Sequence, residues 1–97
     1  MSNMCGAPKE AEIDDEVKGF LDIALTSHNS ESNDEKKVLV KIIKVQKQVV
    51  AGLKIIIDFI AESEQSKKQH SCQAVLLSQP WINPQPQIIK FEANPIE

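Results

Sequence analysis

Lys37-Val38-Leu39-Val40-Lys41-Ile42-Ile43-Lys44-Val45-Gln46-Lys47 and, a few residues on, Leu53-Lys54-Ile55-Ile56-Ile57-Asp58-Phe59-Ile60-Ala61 decide the fold. Both stretches are dense in β-branched residues, which fit a pleated, half-buried surface. In the second, Leu53, Ile55, Ile57, Phe59 and Ala61 alternate with Lys54, Ile56, Asp58 and Ile60. That period of two makes one face the drier and predicts a strand. Two long strands are therefore expected, joined by Gln48-Val49-Val50-Ala51-Gly52. Downstream, the polar stretch Glu62 to His70 leads to a third strand at about Ser71 to Leu77. The loop Ser78-Gln79-Pro80-Trp81-Ile82-Asn83-Pro84-Gln85-Pro86 precedes a last short strand, Ile88 to Glu92.

Upstream the period changes. Over residues 11–28, Ile13, Val17, Phe20, Leu21, Ala24 and Leu25 recur at three- and four-residue spacing and form one apolar stripe, the pattern of an amphipathic helix. Asp14, Asp15 and Glu16 crowd its first turn, where carboxylates complement the helix dipole. The polar run from His28 to Asp34 is expected to end it. One helix followed by strands predicts an α+β fold, an antiparallel four- to five-stranded sheet wrapped around one long N-terminal helix. The fifth strand would lie before the helix. Residues 1–97 are expected to form a single domain, with residues 1–8 as a flexible N-terminal trunk.

A chain of 97 residues buries roughly 65% of its unfolded surface, enough for one core. Apolar residues make up 41% and charged residues 26%, the balance of a soluble globular chain rather than a disordered one. No apolar run is long enough for a membrane-spanning helix, so no membrane partner is expected. Met1 to Pro8 lacks the basic start and apolar stretch of a secretory signal. Cys5 and Cys72 are the only cysteines and read as free thiols, which favours a reducing compartment. A cytoplasmic location is expected, or a secreted one if a leader has been removed.

Charge is uneven. Residues 1–35 hold nine acids against two Lys, and residues 36–97 hold nine Lys against five acids. Lys36 to Lys54 contains six Lys and no acid, which raises the question of an anionic partner. The chain has no Arg and no Tyr, however, and so lacks the preferred reader of guanine and most aromatic stacking platforms. No nucleic-acid partner is expected. Lys37, Lys41, Lys44 and Lys47 mix odd and even positions and read as the solvated outer face of a curved sheet, where Lys also discourages edge-to-edge pairing.

Enzymatic readings are poorly supplied. Two His and two Cys offer no spacing that orients a Cys–His nucleophile pair. His70 and Cys72 could share a strand face, yet two ligands do not make a zinc site. Neither a Gly-rich phosphate loop nor a pocketed carboxylate pair is present, so no catalytic residue, metal or cofactor is expected. A surface His and a half-buried Cys are the reading for these side chains.

The connection at 48–52 is unusual. A hairpin tip normally carries Asn, Asp or Gly, whereas this one presents Val49-Val50-Ala51. Continuation as one long strand would explain the apolar residues, but Gly52 argues for a turn, a bulge or a close backbone approach. Pro80-Trp81, with the only Trp, is a second apolar element in a loop. Two apolar tips at one end of a sheet would make a protein-binding edge.

Gln48-Val49-Val50-Ala51-Gly52 resembles the Gln-x-Val-x-Gly hairpin of the cystatins, inhibitors of papain-like cysteine proteases. Gly6, within Met4-Cys5-Gly6-Ala7-Pro8, is similar to the start of the stefins, the intracellular branch, and Pro80-Trp81 is similar to the second hairpin of the secreted branch. The resemblance runs from Met4 to about Phe91. It implies a reversible, tight-binding inhibitor of cathepsin-type proteases and not an enzyme. Gly6 and Gly52 would let backbone approach the cleft wall. Met4 and Cys5 would lie in the unprimed subsites, Val50 and its neighbours on the primed side, and Trp81 on the adjacent rim. It also implies either a monomer or a dimer made by exchanging the helix and first long strand. Ser32-Asn33-Asp34 resembles a segment through which some secreted cystatins inhibit legumain, an Asn-specific protease, which would make Asn33 a second contact residue. A non-inhibitory binding module on the same scaffold is the alternative.

Overall fold

In the computed structural model, which describes residues 9–31 and 36–96, Asp14 starts the helix. Its Oδ1 accepts the Val17 amide proton at 2.9 Å, capping α1 (Asp15–Glu31). That bond, assisted by the Lys47 ammonium, holds the Asp14 carboxyl below the usual aspartate range. The helix thus begins later than the expected residue 11. Ile13 precedes it and is 46% exposed rather than part of the buried stripe. Val17, Leu21, Ala24 and Leu25 are the residues the helix buries, and Phe20 packs at their margin.

The helix also ends later than expected, at Glu31 rather than near His28. The side chain of Asn29 explains the extension. Its Nδ2 donates to the Lys37 carbonyl at 3.0 Å and its Oδ1 accepts the Lys37 amide proton at 2.9 Å. One amide side chain therefore stands in for a neighbouring strand at the start of β2 (Lys37–Val50). His28 stacks on Phe91 with ring centroids 4.2 Å apart, and His70, expected at the surface, is half-buried.

Five strands form one antiparallel sheet in chain order: β1 (Lys9–Glu10), β2, β3 (Gly52–Ser63), β4 (Gln69–Ser78) and β5 (Gln87–Pro95). The strand suspected before the helix is present, with Lys9 opposite Lys47. Each long strand is longer than its sequence signature, because ladder pairing carries polar ends that periodicity alone leaves out. α1 lies against the concave face. Ile55, Ile57, Phe59 and Ala61 point toward it and are fully buried, and Phe59 meets Phe91 edge to face at 5.9 Å.

The lysines of β2 require a correction. The β2–β3 register slips between Leu39 and Lys41 and again between Ile42 and Lys44, so β2 carries two bulges. Each extra residue flips the parity. Leu39, Ile42 and Val45, spaced by three, therefore oppose Ala61, Phe59 and Ile57 on the concave side. Lys41 and Lys44 are outward and exposed, as expected. Lys37 and Lys47 instead oppose Ser63 and Ile55 on the inner face. Lys37 is buried, and Lys47 Nζ reaches Glu16 Oε1 at 3.2 Å and Asp14 Oδ2 at 3.8 Å, tying the helix N-terminus to the sheet.

Candidate functional site

The two long strands run to one end of the molecule and turn there within a single residue. Val49 pairs with Leu53 and Val50 with Gly52, leaving Ala51 alone at the tip. Gln48, Val49 and Val50 thus belong to β2 rather than to a five-residue connection, and Gly52 opens β3. So abrupt a reversal needs an unusual backbone conformation, and Gly52 supplies it with φ +127°.

Gly52 is required for a second reason. A Cβ at this position would lie 2.6 Å from the Ser78 carbonyl oxygen and 2.8 Å from Gln79 Cγ. The first tip is therefore packed against the end of β4, where the Pro80-Trp81 loop begins. Gln79 closes the contact: its Nε2 donates to the Ala51 carbonyl at 2.6 Å. Its own carbonyl accepts the amide protons of Ile82 and Asn83, both at 2.9 Å, and this builds the turn that carries Pro80 and Trp81.

What this end presents is apolar and uncharged. Val49 is 63% exposed, Trp81 66% and Ile82 68%, and Ala51 and Pro80 are exposed as well. No charged side chain occurs from Gln48 to Leu53 or from Ser78 to Ile89. Exposed large apolar groups gathered at the ends of two neighbouring strand pairs are the pattern of an interaction surface. β1 runs antiparallel to β2, so its first residue, Lys9, is directed toward this same end. Met4, Cys5 and Gly6 lie outside the described residues, as does Asn33. The described flanks of the latter, Glu31 and Lys36, adjoin the start of β2 at the opposite end of the sheet.

Of the residues singled out in the sequence, the fold brings Gln48, Val49, Val50, Ala51, Gly52, Pro80 and Trp81 to one end. Gln79 and Ile82 were not singled out. Ile82, a large apolar residue between Trp81 and Asn83, could have been. Gln79 could not, because a polar residue before Pro80 has the same sequence appearance whether it clamps a neighbour or faces water.

Cys72 is 3% exposed, not half-buried, because it faces inward opposite Phe59 and Ala93. Burial raises its thiol pKa, which keeps it protonated and unreactive. Among the described residues no group of three His, Cys, Asp or Glu side chains could hold a metal ion.

Comparison with known proteins gives a consistent assignment. The family description "Cystatin domain" matches residues 6–91. Over 78 residues the chain is 36% identical to Cystatin Pr17a of Platymeris rhadamanthus, a match covering 79% of this chain and 64% of that protein. Over 58 residues it is 40% identical to Cystatin-C of Paralichthys olivaceus, covering 59% of this chain and 45% of that one. The chain therefore spans less than two thirds of the length of these curated relatives. Dimeric human cystatin F superposes with a TM-score of 0.78 at 17% identity, covering 99% of this chain and 93% of that one. At that identity the likeness is one of fold.

Proposed function

The chain belongs to the cystatin family, and from that premise we propose that it is a reversible, tight-binding inhibitor of papain-like cysteine proteases of the cathepsin type. The observation that carries the reading is the joining of two exposed apolar tips at one end through Gly52, Ser78 and Gln79. A papain-like cleft is a deep slot between two domains, and this end is a narrow, uncharged wedge. Val49 and Val50 would enter the primed side, Trp81 would pack on the rim, and Met4, Cys5 and Gly6 would reach the unprimed subsites. With no peptide bond of the inhibitor in line with the attacking thiolate, the protease is blocked without turnover. An interface of standard size, roughly 1,600 Å² in total, suits so compact a surface, and rigid hairpins lower the ordering cost of forming it. The monomer is the inhibitory unit, and an unbridged Cys72 is in keeping with a cytoplasmic setting.

The test is titration of active-site-titrated papain with the chain. Activity should fall stoichiometrically and return as the complex is diluted and dissociates. Rapid cleavage of the chain with full return of activity, or no inhibition at micromolar concentration, overturns the reading.

Legumain belongs to the same proposal as a second target. An Asn-specific protease needs an Asn side chain presented to its pocket, and Asn33 falls in the α1–β2 connection. The thirteen steps of β2 from Lys37 to Val50 set the start of that strand about 40 Å from the tips. Both proteases could then be held at once. Running the titration in parallel with legumain checks this. Parent inhibition lost in Asn33→Ala, with papain inhibition unchanged, is expected; a parent inert against legumain removes the second site.

A further inference from the structure

We propose that Gln79 is the positioning residue of the wedge, locking its two tips into one rigid body; the role rests on the inhibitor reading above. Three observations converge on this side chain. Its carboxamide nitrogen donates to the Ala51 carbonyl across the gap between the hairpins, at 2.6 Å. Its backbone carbonyl collects the amides of Ile82 and Asn83, so the same residue shapes the turn displaying Trp81. Its Cγ occupies the space left open because Gly52 has no Cβ. Gln79 thus touches the first tip with its side chain and forms the second with its main chain.

The consequence is twofold. Ala51 stands alone at the reversal, opposite no ladder partner. Its carbonyl would lose water on entering an apolar slot, and an acceptor desolvated without a partner is costly. Gln79 supplies that partner beforehand. It also fixes the separation between Val49 and Trp81, so both contact groups enter the protease already in register. Pre-organisation of this kind strengthens binding without adding any contact to the partner. Because the bond sits at the surface and far from the core around Phe59, its loss should act on binding far more than on folding.

The donor is what matters, which gives a specific test. Gln79→Met keeps the length of the side chain and removes the hydrogen bond. Gln79→Glu keeps the shape but sets a carboxylate against a carbonyl at neutral pH, and its protonated form can donate again near the ordinary Glu pKa of about 4.3. Inhibition constants for papain should be measured at about pH 7 and at about pH 4, each relative to the parent at the same pH, together with melting temperatures. Gln79→Met should inhibit about fivefold more weakly than the parent at both values, with its melting temperature unchanged. Gln79→Glu should be weaker still at neutral pH and recover at acid pH to well below the Gln79→Met inhibition constant. That recovery is a readout that space-filling alone cannot produce. It also decides the matter if Gln79→Met folds poorly. If both variants match the parent at both values, or if Gln79→Glu shows no recovery beyond Gln79→Met, the clamp is wrong while the inhibitor reading stands. A parent that leaves papain active overturns the inhibitor reading, and the clamp with it.

Discussion

Gly52→Ala is expected to raise the inhibition constant for papain by about a hundredfold or more, the equivalent of about 3 kcal/mol. Two independent costs combine at this position. A φ of +127° is one that side-chain-bearing residues rarely adopt, and holding one there costs about 1–3 kcal/mol. The added methyl group would also lie 2.6 Å from the Ser78 carbonyl oxygen, an atom fixed in β4 that cannot rotate away. The Gln79 Cγ contact at 2.8 Å could relax, but only by pulling the carboxamide off Ala51. Alanine is therefore accommodated only if the tips part. Some stability is lost with that, so folding should be followed by circular dichroism and the inhibitor concentration corrected to the folded fraction. A folded Gly52→Ala within about threefold of the parent would show that the tip tolerates a side chain and that the backbone argument is wrong.

The same glycine shows how much could be read before the fold was known. A lone Gly between two strand patterns signals a turn or a close approach, and Gly52 is both. The helix stripe Val17, Leu21, Ala24 and Leu25 and the alternation from Leu53 to Ala61 were equally legible, since each residue repeats at the period of its element. β2 was not legible at this level. Its bulges turn a period of two into steps of three, from Leu39 to Ile42 to Val45, and so disguised which lysines face the helix. No local pattern announces a bulge, because the slip is set by pairing with β3. Lys47 looked like one more surface charge and instead bridges Asp14 and Glu16, the latter 31 residues away in the chain.

Long-range partners account for the remaining differences. Asn29 prolongs the helix because its amide meets the Lys37 backbone, a contact that exists only once the sheet has wrapped. Gln79 follows the same logic at the other end of the molecule. In both cases a carboxamide satisfies backbone groups that the ladder leaves open, and its role depends on a neighbour distant in sequence. Apolar periodicity thus located the layers and the family motif located the tips. The polar side chains that join one element to another needed the structure.

Trp81→Ala is expected to raise the inhibition constant about thirtyfold, about 2 kcal/mol, while leaving the melting temperature unchanged. The two halves of that expectation come from one fact. Trp81 is 66% exposed, so the free protein gains little from it, and most of its large apolar surface remains to be buried on a partner. The turn around it is held by the Gln79 carbonyl and should survive truncation, since neither Ile82 nor Asn83 needs the indole to make its bond. The loss should therefore appear mainly as faster dissociation, as for most changes in a pre-formed interface. Removing residues 1–6 gives the companion measurement. Met4, Cys5 and Gly6 are proposed to grip a different part of the cleft, so this deletion should also accelerate dissociation, and its effect should add to that of Trp81→Ala, as for separate contacts without shared partners. Dissociation rates from displacement by a competing inhibitor, taken for the parent, each variant and the combination, decide the matter. If Trp81→Ala and the deletion both dissociate like the parent, the wedge does not bind through these elements. If the pair is strongly non-additive, trunk and hairpin share a contact that the three-part arrangement does not contain.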